Sequence, residues 1–197
     1  MYINSHVLLA GFLFQILSMA AMMYLVCKVS DSYAPEATRN NYLYALSFFM
    51  GYMVGPAMHQ IMFFYPEVLP QAVGYTSVVF ACFSGIALFS KRRSYLFLGG
   101  VISSIMMSMM VYRLTSWLFG TGGASFGMGY MMVGLFVECL YVIYDTQMII
   151  ERAERGDKDV PVHTMMLFID LFDMFLKIVQ ILIKLQEGDR KDKRRKD

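Results

Sequence analysis

Six apolar stretches, each about as long as a helix needs to be to cross a bilayer, divide this chain and leave little between them. They cover residues 6–27, 42–64, 71–90, 95–119, 128–150 and 164–185 of 197. A helix rises about 1.5 Å per residue, so roughly 20 apolar residues cross a hydrocarbon core about 30 Å thick. Within such a core every backbone polar group must find its partner in the chain itself, and helices provide this. The stretches therefore predict an all-α, polytopic membrane helix bundle of six membrane segments. The breakers are short: Asp31 to Pro35, Tyr65 to Pro70, Lys91-Arg92-Arg93, Gly120 to Gly123 and Gly156 to Asp159. No internal repeat is evident and no room remains for a soluble domain. The expected organisation is one transmembrane helix-bundle domain over 1–185 and a basic, disordered tail over 186–197. Composition agrees, with 16% charged residues against about 25% in soluble domains.

Loop charge predicts the orientation. Lys28, Arg39, Lys91, Arg92, Arg93, Arg152, Arg155 and Lys158 fall in three loops on one side, and only Arg113 precedes the tail on the other. The three basic loops are expected in the cytosol, with the N-terminus outside or in a lumen. The first stretch has no basic leader and is too long for a signal-peptide core, so it reads as a retained span. The tail conflicts with this scheme. If stretch 164–185 crosses fully, the basic residues from Lys184 onward end on the luminal side; if it is re-entrant, they return to the cytosol. The tail's basic residues are expected to bind anionic headgroups at about 1 kcal/mol each. The lipid bilayer is the expected partner, and no nucleic acid. Cys27, Cys82 and Cys139 form neither a metal spacing nor a disulfide framework.

Charges inside the stretches carry the chemistry. Asp145 lies six residues before Glu151, the first charge of the last loop, and Asp170 lies seven residues after His163, its last polar residue. Both are then roughly 9–10 Å inside the same membrane face. A short loop makes the two helices antiparallel neighbours, so the two acids can face one another. Asp170, Asp173, Lys177, Gln180 and Lys184 recur at spacings of 3, 4, 3 and 4, a stripe about 80° wide. A helix with such a stripe belongs at the centre of a bundle. Glu138 shares a face with Asp145. Glu138, Asp173, Lys177 and His59 are candidates for an accessory polar path, although Asp173 with Lys177 also reads as a structural i,i+4 ion pair. In stretch 42–64, Gly51 and Gly55 read as a packing notch, Pro56 as a kink, and His59 as packing or as a pH-sensing group. The methionines of 106–110 read as adaptable packing rather than metal ligands.

An ionisable group in a bilayer costs about 2.5–3.5 kcal/mol on insertion scales, so it points to function. Two close acids in a low-dielectric site cannot both ionise cheaply, and the pair shares a proton near neutral pH. The same oxygens suit a hard cation such as Ca²⁺. Asp145 and Asp170 are thus the expected pH sensor, ion path and transient calcium site, with calcium as transported ion and no cofactor.

Tyr144-Asp-Thr-Gln-Met-Ile-Ile-Glu-Arg-Ala153, Gly156-Asp-Lys-Asp159, His163 and Leu167-Phe-Ile-Asp170 resemble the Bax inhibitor family of transmembrane Bax-inhibitor-motif proteins. So do Ser90-Lys-Arg-Arg-Ser-Tyr-Leu-Phe-Leu-Gly-Gly100, Val54-Gly-Pro56 and Pro66-Glu-Val-Leu-Pro70. The resemblance runs from about residue 41 to the basic tail. It implies an endoplasmic reticulum protein of the cell-death suppressor branch. It also implies a calcium leak regulated by pH through two membrane aspartates, matched here by Asp145 and Asp170. Family members typically carry an N-terminal segment and one more helix ahead of the first stretch seen here. Glu138 and Asp173 stand where the family is usually not acidic. Two other readings compete. One is an interaction protein that regulates apoptosis through membrane partners without conducting ions. The other is an intramembrane aspartyl protease, disfavoured because Phe168-Ile-Asp170 lacks a glycine turn that would open the backbone to substrate. No enzymatic activity is expected.

Overall fold

The computed structural model describes residues 5–90, 95, 97–118 and 127–196. Six helices follow one another: α1 (Ser5–Val29), α2 (Glu36–Phe64), α3 (Val68–Phe89), α4 (Leu98–Leu118), α5 (Met128–Glu154) and α6 (Val160–Lys196). No strand occurs among the described residues. The predicted breakers at 91–93 and 120–123 lie outside them. Each helix overlaps one predicted stretch, and most overrun it, because polar residues continue a helix after hydrophobicity ends. Three of the six, α3, α4 and α5, are long and apolar enough to cross a membrane, and α1 contributes the shorter apolar run Ile16–Val29. In α6 the four charges Asp170, Asp173, Lys177 and Lys184 dilute the apolar stretch.

The chain divides into two compact units, Met1–His59 with Asp159–Met165, and Gln60–Lys158 with Met166–Asp197. In the first, Leu43, Leu46 and Met50 are buried at spacings of 3 and 4 along one face of α2. Arg39, one turn into α2, is also buried. Its Nη2 donates to both carboxylate oxygens of Asp159 at 2.7 Å, and its Nε donates to the Val29 carbonyl at 2.7 Å. Asp159 immediately precedes α6, and its Oδ1 also accepts the Val162 N–H, the position an N-cap serves. One guanidinium thus joins the end of α1, the start of α2 and the start of α6. Pro56 sits inside α2 without ending it. The predicted glycine notch is not filled: a Cβ at Gly51 or Gly55 meets no atom within 4 Å among the described residues.

In the second unit, α5 packs against both α3 and α4. Ala87, Leu98, Ile102, Val137 and Ile143 form its core, with Phe83, Tyr95 and Tyr144 packed around them. The Gln147 side chain donates to the Ala87 carbonyl at 2.8 Å, so a polar residue fixes α5 to α3 within an apolar contact. Helix α5 ends at Gly156, whose φ of 92° lies in the region glycine alone enters freely. Its N–H returns to the Ala153 carbonyl and that of Asp157 to Arg152, closing the helix end. Within this unit α5 packs on both α3 and α4, and α6, which the stripe predicts at the centre, buries Asp170, Met174, Ile178, Val179 and Ile181. Asp170 is buried, but Gln180 of the same stripe is exposed.

Helix α6 is unbroken from Val160 through Lys196, so it makes no re-entrant turn. It also stays helical over 186–196, where the sequence predicts disorder. Gln, Glu, Lys and Arg are good helix formers, the stretch has no proline, and Asp189 and Lys193 stand four apart. Near its end Arg190 donates to the Phe64 carbonyl at 3.2 Å and lies over the Tyr65 ring at 4.7 Å. The basic end of α6 therefore lies beside the α2–α3 connection.

Gly99 supplies a test of the α4–α5 contact. A Cβ there would lie 3.0–3.3 Å from Cε2, Cζ and the hydroxyl of Tyr144. Gly99→Val is expected to overpack this contact and destabilise the protein by about 1–3 kcal/mol. Gly100→Val, next to it in open space, is expected to cost much less. Thermal unfolding in detergent compares the two; equal losses would mean that Tyr144 does not form this contact.

Candidate intramembrane acid site

Asp145 sits on α5 and Asp170 on α6, either side of the Gly156 turn. Asp145 is half-buried and Asp170 is 6% exposed. The Asp170 carboxylate lies within electrostatic reach of Asp145, Glu138 and Asp173. Its Oδ2 is buried and accepts no hydrogen bond from a described residue. Thr146 Oγ1 and Gln147 Oε1, which follow Asp145 along α5, are also buried with no hydrogen-bond partner among the described residues. An unsatisfied buried oxygen costs roughly 1–3 kcal/mol, more if charged. A proton or a cation at Asp170 removes that cost, and either must come from outside the described side chains. Arg152, two turns along α5, is within electrostatic reach of Asp145, a partner the sequence does not single out.

Glu138 is half-buried on α5, within electrostatic reach of Asp173 and Lys177 on α6. The Lys177 side chain runs against α5 where Gly134 leaves space: its Cε and Nζ lie 3.5 Å from where a Cβ would be. Glu138, Asp145, Asp170, Asp173 and Lys177 all belong to the second unit. His59 is exposed on α2 in the first unit. Among the described residues no three His, Cys, Asp or Glu groups are gathered to hold a metal ion. Ca²⁺ takes six to eight oxygens, so two carboxylates alone make a station for a passing ion rather than a closed cage.

Sequence reasoning missed two polar contacts, one in each unit. Arg39 reads as a loop charge that sets orientation, yet it is 5% exposed and paired with Asp159. Glu151 reads as the first charge of the loop, yet it is buried and accepts from Arg155 Nε at 2.8 Å. Spacing offers a signal for the second, an i,i+4 acid–base pair, but none for the first, whose partners are 120 residues apart.

The site thus has one buried and one half-buried acid on consecutive helices, with a glycine-closed turn between them. The family model described as inhibitor of apoptosis-promoting Bax1 matches residues 1–187. Bax inhibitor 1 of Mus musculus is 36% identical over 98% of this chain and 80% of its own length. Bax inhibitor 1 of Homo sapiens is 35% identical over 96% of this chain and 79% of its own. The Arabidopsis thaliana protein of the same name is 36% identical over 74% of this chain and 59% of its own. The match takes in all six helices up to the basic end of α6, and with it both acids: the chain belongs to the Bax inhibitor family.

Proposed function

We propose that this chain is a pH-regulated calcium leak of the endoplasmic reticulum membrane that suppresses cell death, with Asp145 and Asp170 as its proton-sharing gate. Membership of the Bax inhibitor family supports the cell-death role. One observation carries the rest: a buried carboxylate oxygen at Asp170 with no hydrogen-bond partner among the described residues, within electrostatic reach of a second acid from α5. In the closed state one proton is shared and α5 and α6 stay together. As pH rises the proton leaves. Asp145, Asp170, Glu138 and Asp173 then repel one another, and a divalent cation relieves the repulsion better than separation alone. All six helices cross or nearly cross the bilayer in this reading, α6 included, with its charges turned from lipid. The family's partners among apoptosis-regulating membrane proteins would meet the same bundle from outside. Purified protein in calcium-loaded liposomes should release Ca²⁺ faster at higher pH, and protein-free liposomes should not. Release that is the same with and without protein would sink the proposal.

A further inference from the structure

The acid pair needs a route to water, and one half of that route is present as a cavity. It is a half-open cleft along α4, α5 and α6 of about 460 Å³, lined by Met106, Met110, Arg113, Tyr130, Glu138 and Lys177 among others. That volume would hold on the order of 15 waters at about 30 Å³ each. Arg113 and Ser103, both lining residues, are ten positions apart on α4, so the cavity runs about 15 Å along the helix. One end is level with the last turn of α4, where Tyr112 and Tyr130 rings lie 5.6 Å apart. The other end reaches Glu138 and Lys177, two turns from Asp145 along α5.

Charged side chains within a membrane bundle face its interior or water, because lipid cannot solvate them. Glu138 and Lys177 line this cavity, so a hydrated cavity answers the question of what solvates them. We infer that the cavity is a water-filled vestibule that admits small hydrated cations from the α4–α5 end, with Glu138 as a first cation station in series with the Asp145–Asp170 pair. This rests on the proposed leak and deepens it. The ligand class follows from charge. Beyond Arg113 at the mouth, the acids Glu138, Asp173, Asp170 and Asp145 follow in order. Lys177 lies within electrostatic reach of both Glu138 and Asp173. Its ammonium acts as a tethered counter-ion that an entering cation displaces. A Cβ at Gly134 would touch the Lys177 stem at ordinary contact distance, so a bulky side chain there would push against it. The methionine wall is flexible and apolar and binds hydrated ions weakly, so it lets them pass.

The test uses the full chain in liposomes with its native cysteines changed to alanine. Met109→Cys puts a thiol on the cavity wall; Val101→Cys, on the same helix outside it, is the control. A membrane-impermeant cationic thiol reagent should modify Met109→Cys at least tenfold faster than Val101→Cys, and Gly134→Phe should slow that reaction to the control rate. In Ca²⁺ release, Glu138→Gln and Gly134→Phe should each reduce the rate several-fold, and Lys177→Gln should raise it. Labelling no faster than the control would mean that acyl chains fill the cavity and would overturn the inference. Rapid labelling with release unchanged by both Glu138→Gln and Gly134→Phe would overturn it too. In that case a response to Asp145→Asn or Asp170→Asn would leave the acid-pair gate standing on its own. A wild type that releases nothing removes the leak reading, and labelling still decides whether the cavity holds water.

Discussion

Arg39→Ala is expected to destabilise the protein by about 3–5 kcal/mol, the range for removing one partner of a buried ion pair. The substitution takes this guanidinium away from the half-buried Asp159 carboxylate, whose side chain is 16% exposed. It also removes the donor that satisfies the Val29 carbonyl, which lies at a fully buried residue. Arg39→Lys should recover only part of the loss. An ammonium can reach a carboxylate, but it cannot hold both carboxylate oxygens and the Val29 carbonyl in one planar fork. Replacing both partners, Arg39→Met with Asp159→Leu, should lie much closer to the native protein, because no buried charge is left alone. Part of the loss should remain, since Asp159 also receives the Val162 N–H at the start of α6. Thermal unfolding of the purified protein in one detergent compares the four proteins. If Arg39→Ala unfolds with the native protein, the contact is a surface pair and does not join the three helix ends.

Length and hydrophobicity made most of the fold legible. Each predicted stretch overlaps a helix, and for α3, α4 and α5, long and apolar enough to cross a membrane, a helix satisfies the backbone within the segment itself. The nearness of Asp145 and Asp170 was legible from a short loop and a fixed rise per residue, and the Asp170 carboxylate lies within electrostatic reach of Asp145. What could not be read was lateral. The stripe on α6 predicts that helix at the centre, but a stripe says which residues share a face and not which neighbours cover it. In the second unit α5 packs on both α3 and α4, and the contact depends on Gly99 facing Tyr144 and Gln147 reaching Ala87. Neither is a periodic signal. The Arg39–Asp159 contact was hidden because positive-inside reasoning counts an arginine near a helix end as a loop charge wherever its side chain goes. The helical end of α6 was missed because a run of like charges reads as disorder, although glutamate, lysine and arginine favour the helix.

The account's central claim is that Asp145 and Asp170 titrate as one unit and that this titration controls the leak. Amides keep the shape of the carboxylates and remove their titration. Wild type should release Ca²⁺ faster as pH rises between about pH 6 and 8, the range in which a shared proton near neutrality is lost. Asp170→Asn should have the largest effect, because Asp170 is the more buried acid and its Oδ2 lacks a partner. It should abolish most of the pH dependence. Asp145→Asn should do nearly the same, since one remaining acid has no second charge from the pair to repel it. The double variant should resemble either single one rather than add to it, as expected when two groups share one proton. The direct measurement is the rate of Ca²⁺ release from liposomes containing each of the four proteins across that pH range. A pH response present in wild type and absent from all three variants is the predicted result. Four proteins that follow pH alike would contradict the account, and the buried acids would then be part of the bundle's packing alone.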